Sequence, residues 1–268
     1  MLFALSVVFV VMLVVMTAAW ATVLKTDNAG WTDVFWTFGT GVAGVIAALS
    51  PWAGEPSARQ LLVACLVAIW SLRLGTYIAI RVFQTEEDRR YAMLKEEWGP
   101  SFPRKLFGLA IVQAPATTLL CASIAAAALR PGEGLVLTDF IGAAILAVAI
   151  LGESVADQQM KAFKADKANH GKIMDRGLWG LSRHPNYLFE WLGWVAYPVM
   201  AISLAPGWPW GWLALIAPVV MYLILTRLTG VPPLEAAMLQ SRGPLYEDYQ
   251  RRVGAFFPRL TPDPRTRR

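Results

Sequence analysis

Long apolar runs constrain this sequence more than any other feature. A helix that crosses the hydrocarbon core of a bilayer needs about 20 mostly apolar residues. Seven stretches approach that length, namely Leu2–Leu24, Trp31–Leu49, Ser57–Phe83, Phe107–Leu129, Leu135–Ala156, Tyr187–Leu204 and Trp210–Thr229. The sequence therefore predicts an all-α, polytopic membrane protein with seven transmembrane helices in a single domain over residues 1–268.

The composition agrees with the bilayer as the solvent of this chain. Hydrophobic residues make up 56% and charged residues only 16%, whereas about a quarter of the residues of a soluble domain are charged. The first run has no basic region before it and is long for the apolar core of a signal peptide. We expect it to be a membrane helix.

The basic residues are concentrated in three connections. They follow the third run (Arg89, Arg90, Lys95, Arg104, Lys105), the fifth run (Lys161, Lys164, Lys167, Lys172, Arg176, Arg183) and the seventh run. Arg59 and Arg130 are the only basic residues near the short turns. Because loops rich in Lys and Arg stay in the cytoplasm, we expect the N-terminus outside and the C-terminus in the cytosol.

Short amphipathic helices are expected in these cytosolic connections. Thr85 followed by three acids is typical of a helix start, and Tyr91, Leu94 and Trp98 form an apolar stripe before Gly99-Pro100. In the tail, Pro232-Pro233 predicts one helix start, and a second short helix is expected through Tyr246 and Tyr249.

Three sequence features that often mark a functional site do not indicate one here. Residues 39–44 match G-x-G-x-x-G, but that fingerprint binds dinucleotides only between a strand and a helix. Inside an apolar run, small residues instead allow close helix packing. Cys65 and Cys121 lie within apolar runs and are expected to be packing residues, and neither His170 nor His184 has a partner at metal-ligand spacing.

The strongest local signal is the start of the sixth run. Pro185 suits the first turn of a helix, after which Asn186, Glu190 and Trp194 fall on one face. An acid inside a membrane span marks a functional site by default. The alternatives are that Glu190 pairs with Arg183 or Arg227, and that the basic run before it is a solvated or lipid-headgroup surface. Next to a helix N-terminus, the basic run favours anion binding, with nucleotide phosphates as candidates.

This region resembles a known family. The stretch from Gly177 through Ser182-Arg183-His184-Pro185-Asn186-Tyr187 to Glu190 is similar to the steroid 5-alpha-reductase-like membrane proteins, specifically an uncharacterised bacterial branch. This resemblance implies a location in a bacterial inner membrane. Ser71–Leu74 with Arg81, and the tail segment Gly230–Glu235 with Tyr246 and Tyr249, fit the same branch. The Arg-His-Pro-x-Tyr motif also occurs in isoprenylcysteine carboxyl methyltransferases, and sterol reductases share the architecture.

The resemblance implies an NADPH pocket built mainly from residues 70–91 and 157–268. Its residues would be Arg73, Arg81, Asp157, Lys161, Lys164, Lys172, Arg183, His184, Asn186, Tyr187, Arg227, Tyr246, Asp248 and Tyr249. Several of these positions are arginine in steroid reductases and lysine here, which keeps the charge but loses bidentate phosphate contacts. The Gln-Glu pair that holds the steroid carbonyl is missing, and Trp70 stands in place of a tyrosine, so a steroid substrate is doubtful.

The reduction of an enone requires a hydride at the β-carbon and a donor that stabilises the enolate oxygen. Asp33, Tyr77, Glu153 and Glu190 are the membrane-embedded candidates. We expect Asp33 and Tyr77 to face the substrate and Glu190 to hold the nicotinamide amide. The alternatives are a helix N-cap for Asp33 and an interfacial packing role for Tyr77.

The leading hypothesis is thus an NADPH-dependent reductase whose lipophilic substrate enters from the bilayer. A methyltransferase that uses S-adenosylmethionine is the second hypothesis. A non-catalytic lipid-binding membrane protein is the third. We expect membrane lipids as partners, no nucleic acid, no metal and a monomeric state.

Overall fold

The computed structural model describes residues 1–52, 54–84, 89–202 and 207–259, which form an all-α protein. The α-helices are α1 (Leu2–Thr26), α2 (Trp31–Ala48), α3 (Ala58–Gln84), α4 (Arg89–Trp98), α5 (Phe102–Ile111), α6 (Gln113–Ala128), α7 (Leu137–Ala165), α8 (Pro185–Ala201), α9 (Ile216–Leu223), α10 (Val231–Arg242) and α11 (Pro244–Arg252). Short 3₁₀ turns and a π-helical turn at Ile224–Leu228 connect or extend them. The predicted all-α fold class is confirmed.

Five helical segments are long and apolar enough to cross a membrane. They are Leu2–Thr26, Ala58–Gln84, Tyr91–Ala128, Leu137–Ala165 and Pro209–Arg242. These segments support an integral membrane protein and agree with five of the predicted runs. The other two runs correspond to α2 and α8, which have 18 and 17 residues, and the end of the sixth run lies outside the described residues. The count of seven stays a prediction.

The chain groups into two compact units. The first contains Met1–Ala143 and Val195–Val220, and the second contains Ala144–Trp194 and Met221–Arg268. The single-domain assignment stays a prediction.

In the first unit, α1 shows one buried stripe on an otherwise apolar helix. The stripe consists of Ala4, Val8, Met12, Met16, Ala19 and Val23, which recur every three or four residues. The other faces include exposed residues such as Phe3, Val10 and Val14. A helix that is apolar all round but buried on one stripe is suited to lipid contact on its remaining faces.

The small residues of α2 bring its neighbours close. A Cβ atom on Gly39 would lie 2.7 Å from a Val15 methyl group on α1, and one on Gly41 would lie 2.1 Å from the Ser71 hydroxyl oxygen on α3. Ser71 also donates a hydrogen bond to the Thr37 carbonyl at 3.0 Å. The prediction that residues 39–44 serve helix packing is confirmed.

A buried cluster of charges ties the first turn of α3 to the turn between α6 and α7. The Asp139 carboxylate is fully buried and accepts hydrogen bonds from the guanidinium groups of Arg59 and Arg130 at 3.1 Å. Arg59 also donates to the carbonyl groups of Arg130 at 2.7 Å and Gly134 at 2.9 Å. Burial lowers the pKa of Arg130, while Asp139 opposes that shift. The only basic residues near the short turns are therefore structural.

The amphipathic connections take their predicted form. The apolar stripe of α4 packs in a cluster with Val23, Phe102 and Leu106, and the helix ends before Gly99. The start predicted at Thr85 and the following acids lies outside the described residues. In the second unit, α10 contains Pro232 and Pro233 in its first turn and α11 carries Tyr246 and Tyr249, as expected.

Candidate functional site

The site predicted from the sequence centres on the start of α8 in the second unit. α8 begins at Pro185, as predicted. The preceding loop is fixed to α7, because the Leu178 amide donates to the Gln159 side chain at 3.0 Å and the Trp179 indole donates to the Ala156 carbonyl at 3.0 Å. The residue before Leu178 is a glycine with φ 58°, a conformation that glycine adopts without a Cβ penalty.

The same loop is also bonded to the tail of the chain. The Arg183 amide donates to the Gly254 carbonyl at 2.9 Å, and the Ser182 hydroxyl donates to the Phe256 carbonyl at 2.7 Å. The Ser182 oxygen in turn accepts from the His184 amide at 3.2 Å. These bonds hold the entrance of α8 in one backbone conformation.

Glu235 on α10 neutralises the Arg183 side chain. The guanidinium Nε of Arg183 lies 2.7 Å from Glu235 Oε1, and His184 Nε2 lies 3.2 Å from the same oxygen. Arg183 also donates to the Val253 carbonyl at 2.5 Å, and Gln250 donates to Glu235 Oε2 at 2.8 Å. Arg183 and His184 are both buried. Both predicted cofactor residues thus have partners within the protein.

The sequence analysis did not predict Glu235 as the partner of Arg183 and His184. It lies in the tail segment that supports the family resemblance, but no local pattern connects it with Arg183, which is 52 residues away. The sequence signal that could have drawn attention to Glu235 is its position two residues after the proline pair that begins α10.

The two tail tyrosines are buried structural residues. The Tyr249 hydroxyl donates to the Trp179 carbonyl at 2.5 Å, and both rings pack with Val253. Burial raises the pKa of Tyr246 and of Tyr249 above the ordinary tyrosine range. Both phenols therefore stay protonated and serve the packing of α11.

Asp248 lies at the protein surface in a network of charges. Arg252 donates to Asp248 at 2.8 Å and to Asp175 at 3.0 Å, and Arg251 donates to Asp248 at 3.2 Å. The hydrogen bond from Arg252 lowers the pKa of Asp248. This network connects α11 with the loop before α8.

Other predicted cofactor residues have side chains that could contact a ligand. Lys161, Lys172 and Arg227 are exposed, and within the described residues none of them forms a hydrogen bond or an ion pair. The Asn186 amide in the first turn of α8 is partly exposed and has no hydrogen-bond partner in the same part of the chain. Exposed cations without an ion-pair partner suit an anionic ligand.

The polar face of α8 is present as predicted. The Trp194 indole donates to Glu190 at 2.9 Å, and both side chains are buried. The Tyr187 ring stacks on His184 with a centroid separation of 5.7 Å. On α7, Glu153 and Asp157 are also buried, one helical turn apart, and Lys164 is exposed. The second unit thus contains three buried carboxylates.

The remaining predicted residues lie in the first unit. Arg73, Tyr77 and Arg81 are on α3, where the Arg73 guanidinium lies 5.6 Å from the centre of the Tyr77 ring. Asp33 follows the N-cap Gly30 by three residues and so does not cap α2. Its carboxylate accepts a hydrogen bond from the Tyr91 hydroxyl at 2.9 Å.

The sequence predicts Tyr91 only as a member of the apolar stripe of α4. Its hydroxyl group gives it a second role, because its hydrogen bond to Asp33 connects α4 with the start of α2.

Among the described residues, no group of three or more His, Cys, Asp and Glu side chains could hold a metal ion.

Comparisons with known proteins identify one distant relative. An uncharacterized protein of Schizosaccharomyces pombe is 30% identical, and the aligned part covers 76% of this chain. The chain spans 64% of the length of that relative. No solved structure matches the chain significantly.

The family comparison covers most of the chain. Residues 19–253 match the family described as "Protein of unknown function (DUF1295)". This match includes the start of α8 and all of α10 and α11. The DUF1295 family is associated with steroid 5-alpha-reductase-like proteins, in keeping with the resemblance of residues 177–190. The chain belongs to the DUF1295 family.

Proposed function

We propose that this protein is an NADPH-dependent membrane reductase that acts on a carbon–carbon double bond of a lipophilic enone. One observation carries the proposal: the cations of the second unit divide into two groups. Arg183 and Arg252 are neutralised by carboxylates. Lys161, Lys172 and Arg227 are exposed and, in the described part of the chain, form no ion pair.

Unpaired cations that do not stabilise the fold are available to a ligand. NADPH carries several phosphate charges, which lysine binds as a point charge and arginine binds through two parallel hydrogen bonds. The partly exposed Asn186 amide at the start of α8 adds a neutral donor and acceptor. The association of the family with steroid 5-alpha-reductase-like proteins supports the same assignment.

In this proposal, Glu190 holds the nicotinamide amide. Its carboxylate is buried and oriented by the Trp194 indole at 2.9 Å, and a fixed acceptor suits an amide donor. Hydride transfer to the β-carbon of the enone then requires a group that stabilises the enolate oxygen. Asp33 and Tyr77 stay the predicted groups for that role.

A methyltransferase that uses S-adenosylmethionine is the second candidate. The ion pair of Arg183 with Glu235 favours it, because this pair removes one predicted phosphate ligand from the site. S-adenosylmethionine carries a single carboxylate and needs fewer cations than NADPH.

The proposed topology has seven spans, with the N-terminus outside and the C-terminus in the cytosol. α2 follows α1 over its whole length. Ala29 just before α2 packs in a cluster with Val23, Gly39 lies against Val15, and Trp52 just after α2 contacts Phe3. If α1 crosses the membrane, α2 crosses the same thickness.

The packing of α8 supports a further span. In the second unit, Gly193 lies against Leu146 and Phe189 lies against the Gly152 position. The order of these contacts makes α8 antiparallel to α7, which is long and apolar enough to cross the membrane. Because Arg59 and Arg130 are buried with Asp139, they add no solvated positive charge to the outer face, which agrees with the charge rule.

The cofactor can be tested by thermal unfolding of the purified protein with NADPH, NADH and S-adenosylmethionine in parallel. A ligand at 100 times its Kd stabilises the folded state by about 2.7 kcal/mol. We expect NADPH to raise the midpoint by several degrees and S-adenosylmethionine to leave it unchanged. Stabilisation by the methyl donor alone would overturn the reductase in favour of the methyltransferase.

A pair of matched variants locates the phosphate site. Lys161→Glu with Lys172→Glu should abolish the rise in unfolding midpoint that NADPH causes. Lys167→Glu with Arg176→Glu reverses two other exposed charges between the fifth and sixth runs and should preserve most of that rise. Equal losses in both variants would show that general charge, and not this site, attracts the cofactor.

A further inference from the structure

The first unit contains tryptophans that indicate the level of one membrane surface. Trp20, Trp31 and Trp98 pack around the buried cluster formed by Val23, Ala29, Tyr91, Phe102 and Leu106. The Trp20 indole donates to the Pro103 carbonyl at 2.8 Å and its ring contacts Phe107. Tryptophan prefers the boundary between headgroups and hydrocarbon, because its ring is apolar and its N–H group is polar.

The other end of α1 indicates the opposite surface. The Phe3 ring contacts Trp52, which is 45% exposed, with a centroid separation of 5.9 Å. At 1.5 Å per residue, the part of α1 from Phe3 to Trp20 is about 26 Å long. The hydrocarbon core of a bilayer is about 30 Å thick. The two tryptophan levels are therefore separated by close to one membrane thickness.

α5 begins at the level of Trp20 and exposes two cations there. Phe102, Leu106 and Ala110 form its buried face, whereas Arg104 and Lys105 are exposed. Neither cation has an ion-pair partner in the described residues. α5 itself contains no acid, so its start is a local concentration of positive charge.

The charged residues that directly precede α5 in the described sequence lie on α4. Lys95 on α4 is already neutralised by Asp27 at 2.9 Å. Glu96 and Glu97 are exposed at the end of α4, before the 3₁₀ turn that separates it from α5. The Lys105 ammonium lies 5.4 Å from the centre of the Trp98 ring, a cation–π contact that favours a position beside the aromatic level.

The exposed side of the chain becomes apolar beyond the two cations. Phe107 is 40% exposed and Val112, between α5 and α6, is 57% exposed. Positive charge followed by exposed apolar surface matches the order of headgroup and acyl chain in a phospholipid. We propose that the start of α5, at Arg104 and Lys105, is a binding site for the headgroup of an anionic phospholipid.

The site is tested with protein in detergent from which bound lipid has been removed. Thermal unfolding is measured after addition of phosphatidylglycerol, phosphatidylcholine or inorganic phosphate at equal phosphate concentration. We expect phosphatidylglycerol to raise the midpoint by several degrees more than phosphatidylcholine does. Inorganic phosphate should have little effect, because it lacks acyl chains to contact Phe107 and Val112.

Variants assign the effect to these two residues. Arg104→Gln with Lys105→Gln should reduce the preference for phosphatidylglycerol by more than half, and Arg104→Lys with Lys105→Arg should restore it. Lys167→Gln with Arg176→Gln removes the same charge from exposed positions in the second unit and should leave the preference intact. Equal stabilisation by both lipids, equal stabilisation by phosphate, or equal loss in the two neutralised variants would overturn the proposal.

Discussion

Asp139 is the residue on which the buried charges of the first unit depend. It is the single carboxylate between the guanidinium groups of Arg59 and Arg130, and all three side chains are buried. Burying charge is costly unless it is paired and hydrogen-bonded. Since Arg59 also donates to the carbonyl groups of Arg130 and Gly134, the cluster fixes the turn between α6 and α7 to the start of α3.

The variant Asp139→Asn should therefore destabilise the protein by about 3–5 kcal/mol, the usual cost of leaving a buried charge without its partner. The reason is that two arginines would remain buried without a counterion. Unfolding of the purified protein in detergent by increasing denaturant measures the effect. Glu133→Gln, at an exposed position in the same turn, is the control and should change stability by less than about 0.5 kcal/mol. Equal stability of both variants would contradict this account of the cluster.

Arg183 shows at the same scale how a motif residue can serve the fold. In sequence it belongs to a basic run that predicts phosphate binding. In the structure its guanidinium bonds Glu235 and the Val253 carbonyl. The charge is present in both descriptions, but only the positions of α10 and of the tail show that it is neutralised.

Among the elements, α2 depends most on the size of its side chains. Its glycines allow α1 and α3 to approach so closely that an added methyl group has no room. At Gly41 a Cβ atom would lie 2.1 Å from the oxygen and 2.3 Å from the Cβ atom of Ser71, which is part of a packed helix and not a flexible end.

We expect Gly41→Ala to destabilise the protein by about 1–3 kcal/mol, the range measured for overpacking in a filled core. Gly108→Ala is a matched control in α5, because a Cβ atom there would meet nothing within 4 Å. Alanine favours a helix over glycine by about 1 kcal/mol, so the control should be neutral or slightly stabilising. The thermal midpoints of the two variants in detergent should therefore shift in opposite directions or differ by several degrees; identical shifts would exclude close packing at Gly41.

For the whole molecule, the decisive property is the side of the membrane on which each connection lies. The proposed orientation places the turn between α6 and α7 outside and the connection between α7 and α8 in the cytosol. Glu133 and Lys167 are exposed residues in these two segments, and both can carry a cysteine as a label.

In a background in which Cys65 and Cys121 are replaced by alanine, Glu133→Cys should react with a membrane-impermeant thiol reagent in intact cells. Lys167→Cys should react only after the cells are permeabilised. The yield of labelled protein before and after permeabilisation is the measurement. The reverse pattern would invert the topology, and labelling of both sites in intact cells would exclude an odd number of spans between them.

The features that could be predicted from the sequence are those that depend on local physics. Apolar runs of membrane length predicted the long helices, and proline positions predicted the starts of α8 and α10. The small residues of α2 predicted close packing. Each of these features follows from a few neighbouring residues and the solvent around them, so no knowledge of the rest of the chain was needed.

The pairing of the polar groups, in contrast, could not be predicted without the three-dimensional structure. Asp139 pairs with Arg59 across 80 residues, Arg183 with Glu235 across 52 and Tyr91 with Asp33 across 58. Such pairs depend on how helices are placed against each other, and a local pattern contains no information about that placement. The result separates the cations that stabilise the fold from those that remain available to a ligand, because a charge already paired inside the protein is no longer free to bind one.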